Sequence, residues 1–147
     1  MTAHVKPKAL ENFKARDFRM LIDGAWTEGA GSAIERVAPG HGVVVSRYPA
    51  GTKADAERAI AAARSAFDNG PWPNMTGAAR SNILLKAADL IAARADELAF
   101  LDTIESGKPI SQAKAELGGA VDIWRYAAAL ARDLHGESYN TLGDGTL

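Results

Sequence analysis

The chain of 147 residues contains no cysteine. That absence excludes disulfides, thiolate nucleophiles and cysteine-type zinc sites together. No run approaches the roughly 18 apolar residues of a spanning helix. The first 19 residues are polar and mixed in charge, without the apolar stretch of a secretory signal. Charge of one sign is also missing: 17 basic residues against 18 acidic ones leave a net charge of −1, with no electrostatic footprint for nucleic acid or an anionic membrane. A cytoplasmic, non-membrane protein is the expectation. Asn74-Met75-Thr76 matches a glycosylation sequon, but the triplet has no meaning without secretion.

What is present is ordinary globular material, 47% hydrophobic and 24% charged. A compact chain of this length buries about 68–70% of its unfolded surface. The first third reads as strands. Two short apolar runs flank Asp23-Gly24, a dipeptide suited to a type I′ hairpin because both positions tolerate positive φ. A second hairpin is expected from 33–37 and 43–48, turning at Pro39-Gly40-His41-Gly42.

From Thr52 the period becomes helical. Thr52 with Asp55 predicts a capped helix over about 53–68 with Ala56, Ile60, Ala63 and Phe67 on one face. Pro71-Trp72-Pro73 predicts a non-helical connector. Thr76 can cap a second helix whose stripe is Ile83, Ala87, Leu90 and Ile91. A third, near 96–106, ends at Gly107, where a left-handed cap is expected before Pro109. A long alanine-rich helix is expected over 111–135 with Gly136 as terminator and Ala113, Leu117, Ala120, Val121, Trp124, Ala128 and Ala131 on one face. Within it, Gly118-Gly119 predicts the close approach of another backbone. Residues 138–142 read as the start of a strand. No central strand of a parallel sheet is visible, and two-stranded hairpins need a covering layer. The chain is therefore expected to be an incomplete piece of a larger α/β protein.

No constellation for chemistry emerges. Gly29-Ala30-Gly31 and Gly40-His41-Gly42 lack the spacing of a dinucleotide fingerprint and lead into strands rather than a helix. Gly107-Lys108 lacks the leading glycine and the hydroxyl of a phosphate loop. His4, His41 and His135 are far apart, and no serine sits in a G-x-S-x-G elbow. His135 is expected at a helix C-terminus, favoured there by the dipole. Asp96-Glu97 and Asp102 with Glu105 read as solvated helix faces.

The segment Glu105-Ser106-Gly107-Lys108-Pro109 resembles the E-[ST]-G-K-P signature of the aldehyde dehydrogenase superfamily. Leu21-Ile22-Asp23-Gly24 with Trp26, Val37-Ala38-Pro39, Ala59-Ile60 with Arg64 and Ala66-Phe67, Trp72, Arg80 with Ile83-Leu84, and Trp124 through Ala128 to His135-Gly136 follow the family's amino-terminal order.

The resemblance covers about residues 20–142. It implies an α/β fold in which these hairpins and helices lie beside a Rossmann-like cofactor domain whose parallel sheet core is absent from this chain. Residues 1–19 would then be a polar tail, 20–136 the amino-terminal part of the cofactor-binding domain, and 137–147 the truncated start of an oligomerisation strand. The implied activity is NAD(P)-dependent oxidation of an aldehyde through a cysteine thiohemiacetal, with a glutamate assisting hydrolysis. The implied partners are the rest of the subunit, a small-molecule aldehyde, and further copies in a dimer or tetramer. No catalytic or nucleotide-binding residue carries over, so neither NAD nor NADP is expected to bind this chain alone. Two lesser sites do carry over. Some members hold a monovalent cation near the second hairpin, which maps to Arg36, Val37 and Glu105, with Arg36 a departure from the pattern. The region of Gly119-Ala120 would border a substrate tunnel. The competing readings are a freestanding helical interaction module and a non-functional truncated product.

Overall fold

A computed structural model describes Leu10 and residues 13–136 of the chain. Strand β2 (Met20–Ile22) turns into β3 (Ala25–Thr27) through Asp23 at φ 53° and Gly24 at φ 72°, the two positive values a type I′ turn demands. Strands β4 (Ala33–Val37) and β5 (Val44–Pro49) form the second, antiparallel hairpin, with a bulge between Arg36 and Val37.

The first strand, β1 (Arg16–Asp17), pairs in parallel with the other edge of β5. The sheet is thus mixed, in the order β1-β5-β4, where only antiparallel hairpins were expected. The stretch before residue 20 is accordingly not a polar tail throughout. Leu10 is buried with Ala38, Val45 and Ile104, and Phe13 and Phe100 tilt together against this cluster, ring centres 6.0 Å apart. Full burial of a side chain such as Leu10, Val45 or Ile104 contributes about 1.5–3 kcal/mol. Arg47 on the central strand reaches Glu35 on β4 at 2.8 Å and Asp17 on β1 at 3.8 Å, so one cation spans the three strands in register.

Helix α1 (Lys53–Asn69) starts on the expected capping box, Asp55 N–H donating to Thr52 Oγ1 and Thr52 N–H to the Asp55 carboxylate. Its apolar stripe, however, is largely uncovered by the described residues: Ile60 and Phe67 are each 68% exposed. Pro71–Pro73 is a single 3-10 turn, Trp72–Asn74, instead of a non-helical link, because a short helical start tolerates a residue without N–H.

Helix α2 (Gly77–Ala93), capped by Thr76, lies along α4 (Ile110–Leu130), with α3 (Ala95–Ser106) beside them. Alanine makes the contact: Ala88 on α2, Ala99 on α3 and Ala113 and Ala128 on α4 are fully buried. The face of α2 that is covered carries Ser81, Leu84, Ala88 and Ile91, and the expected Ile83 and Leu90 point outward. The helix is apolar on nearly every side, so hydrophobicity alone does not select its buried face. On α4 the expected stripe is covered at Ala113, Leu117, Ala120, Val121 and Ala128, with Trp124 departing from it.

One expectation about α4 fails. The helix ends at Leu130, not near His135, and its last turn tightens through bonds from Arg132 N–H to the Ala129 carbonyl and Asp133 N–H to the Leu130 carbonyl, both 3.0 Å. Gly136 therefore does not terminate it, and His135 lies beyond the helix, its Nδ1 donating to the Asp133 carbonyl. A Cβ at Gly118 or Gly119 would meet nothing within 4 Å, so no backbone of the described residues approaches the pair. The strand expected at 138–142, the segment 137–147 and His4 lie outside the described residues.

Candidate functional site

A dense polar arrangement lies at the junction of α3, α4 and the β4–β5 hairpin. It is built on the signature residues. Gly107 holds φ 81° and donates its N–H to the Thr103 carbonyl, closing α3 with the left-handed cap its sequence predicts. A side chain there would also meet Pro39, whose Cγ lies 2.9 Å from the Cβ position. Ser106 Oγ donates to the Asp102 carbonyl and accepts from Lys108 N–H, tightening the turn from inside. Pro109 then opens α4 without an N–H to satisfy.

Lys108 reaches back to Asp102 at 2.9 Å and forward to Glu116 at 2.6 Å, joining the two helices across the turn. Its hydrogen bonds with Glu116 and Asp102 raise its pKa, and the Glu116 carboxyl is lowered in return by Lys108 and then Gln112. The carboxylates read from sequence as solvated faces are thus mostly engaged. Asp102 holds Lys108, Asp96 holds Lys114, Glu97 accepts from Arg94 and Arg16, and Glu105 Oε1 accepts from the buried Ser46 hydroxyl at 2.8 Å.

Of the three residues expected as cation ligands, Arg36 and Glu105 are in contact here. Arg36 and Val37 end β4 beside the end of α3, which carries Glu105. At the Glu105 carbonyl their chemistry disfavours a free ion. The Arg36 guanidinium donates through Nε and Nη2, at 3.2 and 3.0 Å, to the Glu105 carbonyl. Hard cations collect oxygen ligands, and an ion on that carbonyl would share one oxygen with a fixed positive charge. Among the described residues no group of three or more His, Cys, Asp or Glu side chains could hold a metal. A depression of about 380 Å³ beside the junction is lined by His41, Thr103, Ile104, Gly107, Lys108 and Pro109 among others.

Sequence reasoning missed Ser46 and the Arg36 contact. Both span long separations in the chain, 59 residues from Ser46 to Glu105 and 69 from Arg36 to Glu105, and no local pattern signals them.

A second polar hub anchors α1. The Asp55 carboxylate accepts from Thr52 N–H, the Thr52 hydroxyl, Arg58 and Ala30 N–H, joining the loop after β3 to the helix start. These donors, the Thr52 N–H foremost, hold its pKa far below the usual carboxylate range. Glu97, bonded by Arg94 and then Arg16, is lowered from 4.5 to about 2. Both groups are more acidic folded than unfolded. Their stabilisation is complete above the ordinary values of 3.8 and 4.5 and is lost as pH falls toward and through the folded values. Thermal unfolding midpoints of the wild type should therefore drop between pH 5 and pH 2, and Asp55→Asn with Glu97→Gln should flatten that slope. An unchanged slope in the double variant would contradict the assignment.

Comparison with known proteins follows the same junction. Residues 26–147 match the model of the aldehyde dehydrogenase family. Aldehyde dehydrogenase 1 of Tanacetum cinerariifolium is 38% identical over 128 residues, covering 86% of this chain and 26% of that protein. The mitochondrial benzaldehyde dehydrogenase of Antirrhinum majus is 40% identical over 120 residues, 80% of this chain and 22% of its own length. The crystal structure of an NAD-dependent aldehyde dehydrogenase from Sinorhizobium meliloti superposes with a TM-score of 0.87 at 45% identity, over 97% of this chain and 29% of that one. The chain thus spans about a quarter of the length of the relatives it matches.

Proposed function

Because the chain belongs to the aldehyde dehydrogenase family, we propose that it is the amino-terminal portion of an NAD(P)-dependent subunit that oxidises an aldehyde to a carboxylic acid. The observation that supports this reading is the family match across residues 26–147, which takes in the whole α3–α4 junction. The chemistry that the resemblance implies needs a cysteine thiolate to add to the aldehyde, and this chain contains no cysteine. Its two Gly-x-Gly turns lead into strands rather than a helix, and the starts of α1 and α2 are already filled by Thr52, Asp55 and Thr76.

No catalytic step is therefore assigned to these residues. Their role is a scaffold, a helical layer and two hairpins against which the cofactor-binding sheet of the subunit packs. The remainder of the subunit and further copies of it are the proposed partners, the cytoplasm the proposed compartment, and an aldehyde the proposed substrate of the whole. Among the described residues no helix is long and apolar enough to cross a membrane.

The test is to express the polypeptide from the complete reading frame and, separately, residues 1–147, and to follow NAD(P)H formation with a panel of aldehydes. The complete polypeptide should reduce the nucleotide in an aldehyde-dependent way, and residues 1–147 should not. A complete reading frame without a cysteine, or turnover by residues 1–147 alone, would overturn the proposal.

A further inference from the structure

The end of α3 is a point of concentrated negative potential. Its last carbonyls carry the negative pole of the helix, Glu105 adds a carboxylate, and the last turn of α3 contains no basic residue of its own. Of the nearby cations, Lys108 is committed to Asp102 and Glu116. The Glu105 carboxylate has one partner fixed by the fold, the hydroxyl of Ser46, which is 2% exposed at the centre of the sheet. The bulge at Arg36/Val37 interrupts the regular β4–β5 register beside this point, and the Arg36 guanidinium lies on the Glu105 carbonyl with two of its nitrogens.

We propose that Arg36 is a tethered cation: its guanidinium, rather than the free monovalent ion that the resemblance implies, supplies the positive charge at the end of α3. The fold around Arg36, Val37 and Glu105 is then independent of sodium or potassium. The physical gain is entropic and local. A cation carried on β4 needs no capture from solution, and its planar donors bind the carbonyl directionally where an alkali ion binds without direction. It also ties β4 to α3 without an intermediary.

The test uses the polypeptide expressed from the complete reading frame and reads stability, so it stands or falls independently of any aldehyde turnover. Thermal unfolding is followed in potassium chloride, sodium chloride and tetramethylammonium chloride at equal ionic strength, and ²³Na relaxation is measured on the wild type. The wild type should melt at the same temperature in all three salts and leave the ²³Na line without a potassium-displaceable broadening. Arg36→Gln should melt several degrees lower in tetramethylammonium chloride, on the order of 4 °C, and recover saturably in potassium or sodium chloride. Arg36→Lys, which keeps the charge, should remain insensitive to the salt and covers the case in which Arg36→Gln fails to fold. A saturable, alkali-specific stabilisation of the wild type, a potassium-displaceable ²³Na broadening, or an Arg36→Gln protein no more salt-specific than the wild type would overturn the proposal.

Discussion

Valine in place of Gly77 is expected to lower the free energy of unfolding by about 3 kcal/mol, the upper part of the range for overpacked sites. Gly77 is the first residue of α2, and there the chain passes the end of α4. A Cβ at this position would lie 2.4 Å from the Ala131 carbonyl oxygen and 3.3 Å from the Arg132 Cα. Both neighbours are backbone, so no side-chain rotation relieves the clash; one helix has to move relative to the other. The contact between α2 and α4 is the most extensive between any two elements, and alanines 88 and 128 fill it to complete burial. A shift at Gly77 therefore opens cavities along an interface that small residues have made close. Urea denaturation of Gly77→Val beside Gly118→Ala checks this. Gly118 has open space around it, and alanine there should be neutral or stabilise the helix by up to about 1 kcal/mol. Equal midpoints for the two variants would show that the α2–α4 contact yields more readily than its geometry implies.

Residues 1–147 produced alone are expected to bind a hydrophobic dye strongly and to associate at micromolar concentration. Along α4, Gly119, Ile123, Tyr126 and Leu130 follow one another at four-, three- and four-residue steps, on a different face from Val121 and Ala128. Ile123 is 68% exposed and Tyr126 66%. Ile60 and Phe67 make a comparable uncovered stripe on α1. Contiguous apolar surface of this kind is rare on a soluble monomer and marks a surface that another body covers. The double change Ile123→Glu and Tyr126→Glu separates the contexts. In residues 1–147 alone it should suppress dye binding and association while altering stability by no more than about 0.5 kcal/mol, as for other exposed sites. In the complete subunit the same pair would be buried without partners and should cost several kcal/mol, on the order of 3–5. A dye-silent, monodisperse monomer of residues 1–147 would instead favour the freestanding module.

What could be read from the sequence was local. Asp23-Gly24, Thr52 with Asp55, Thr76 and Gly107 each act within four residues of themselves, through a positive φ or a side chain bonded to a nearby N–H, and all four sit where their chemistry places them. The parallel strand Arg16–Asp17 was illegible because two polar residues have no period, and its pairing with Ser46 and Arg47 crosses 30 residues. The buried face of α2 was illegible because Ile83 and Leu90 are as apolar as Leu84 and Ile91; the neighbouring helix decides among them. The end of α4 has no marker either, since Ala131 to His135 is compatible with a further turn. At the junction the signature residues announced themselves, but the side chains that hold Glu105 came from a hairpin more than 50 residues away.

The signature is itself a piece of carpentry. Glu105 is pinned to the sheet, Ser106 tightens the turn, Gly107 takes the backbone angle, Lys108 clasps two helices and Pro109 starts the next one. All five contacts are made within this chain. Recognition through this motif thus follows the frame of the fold.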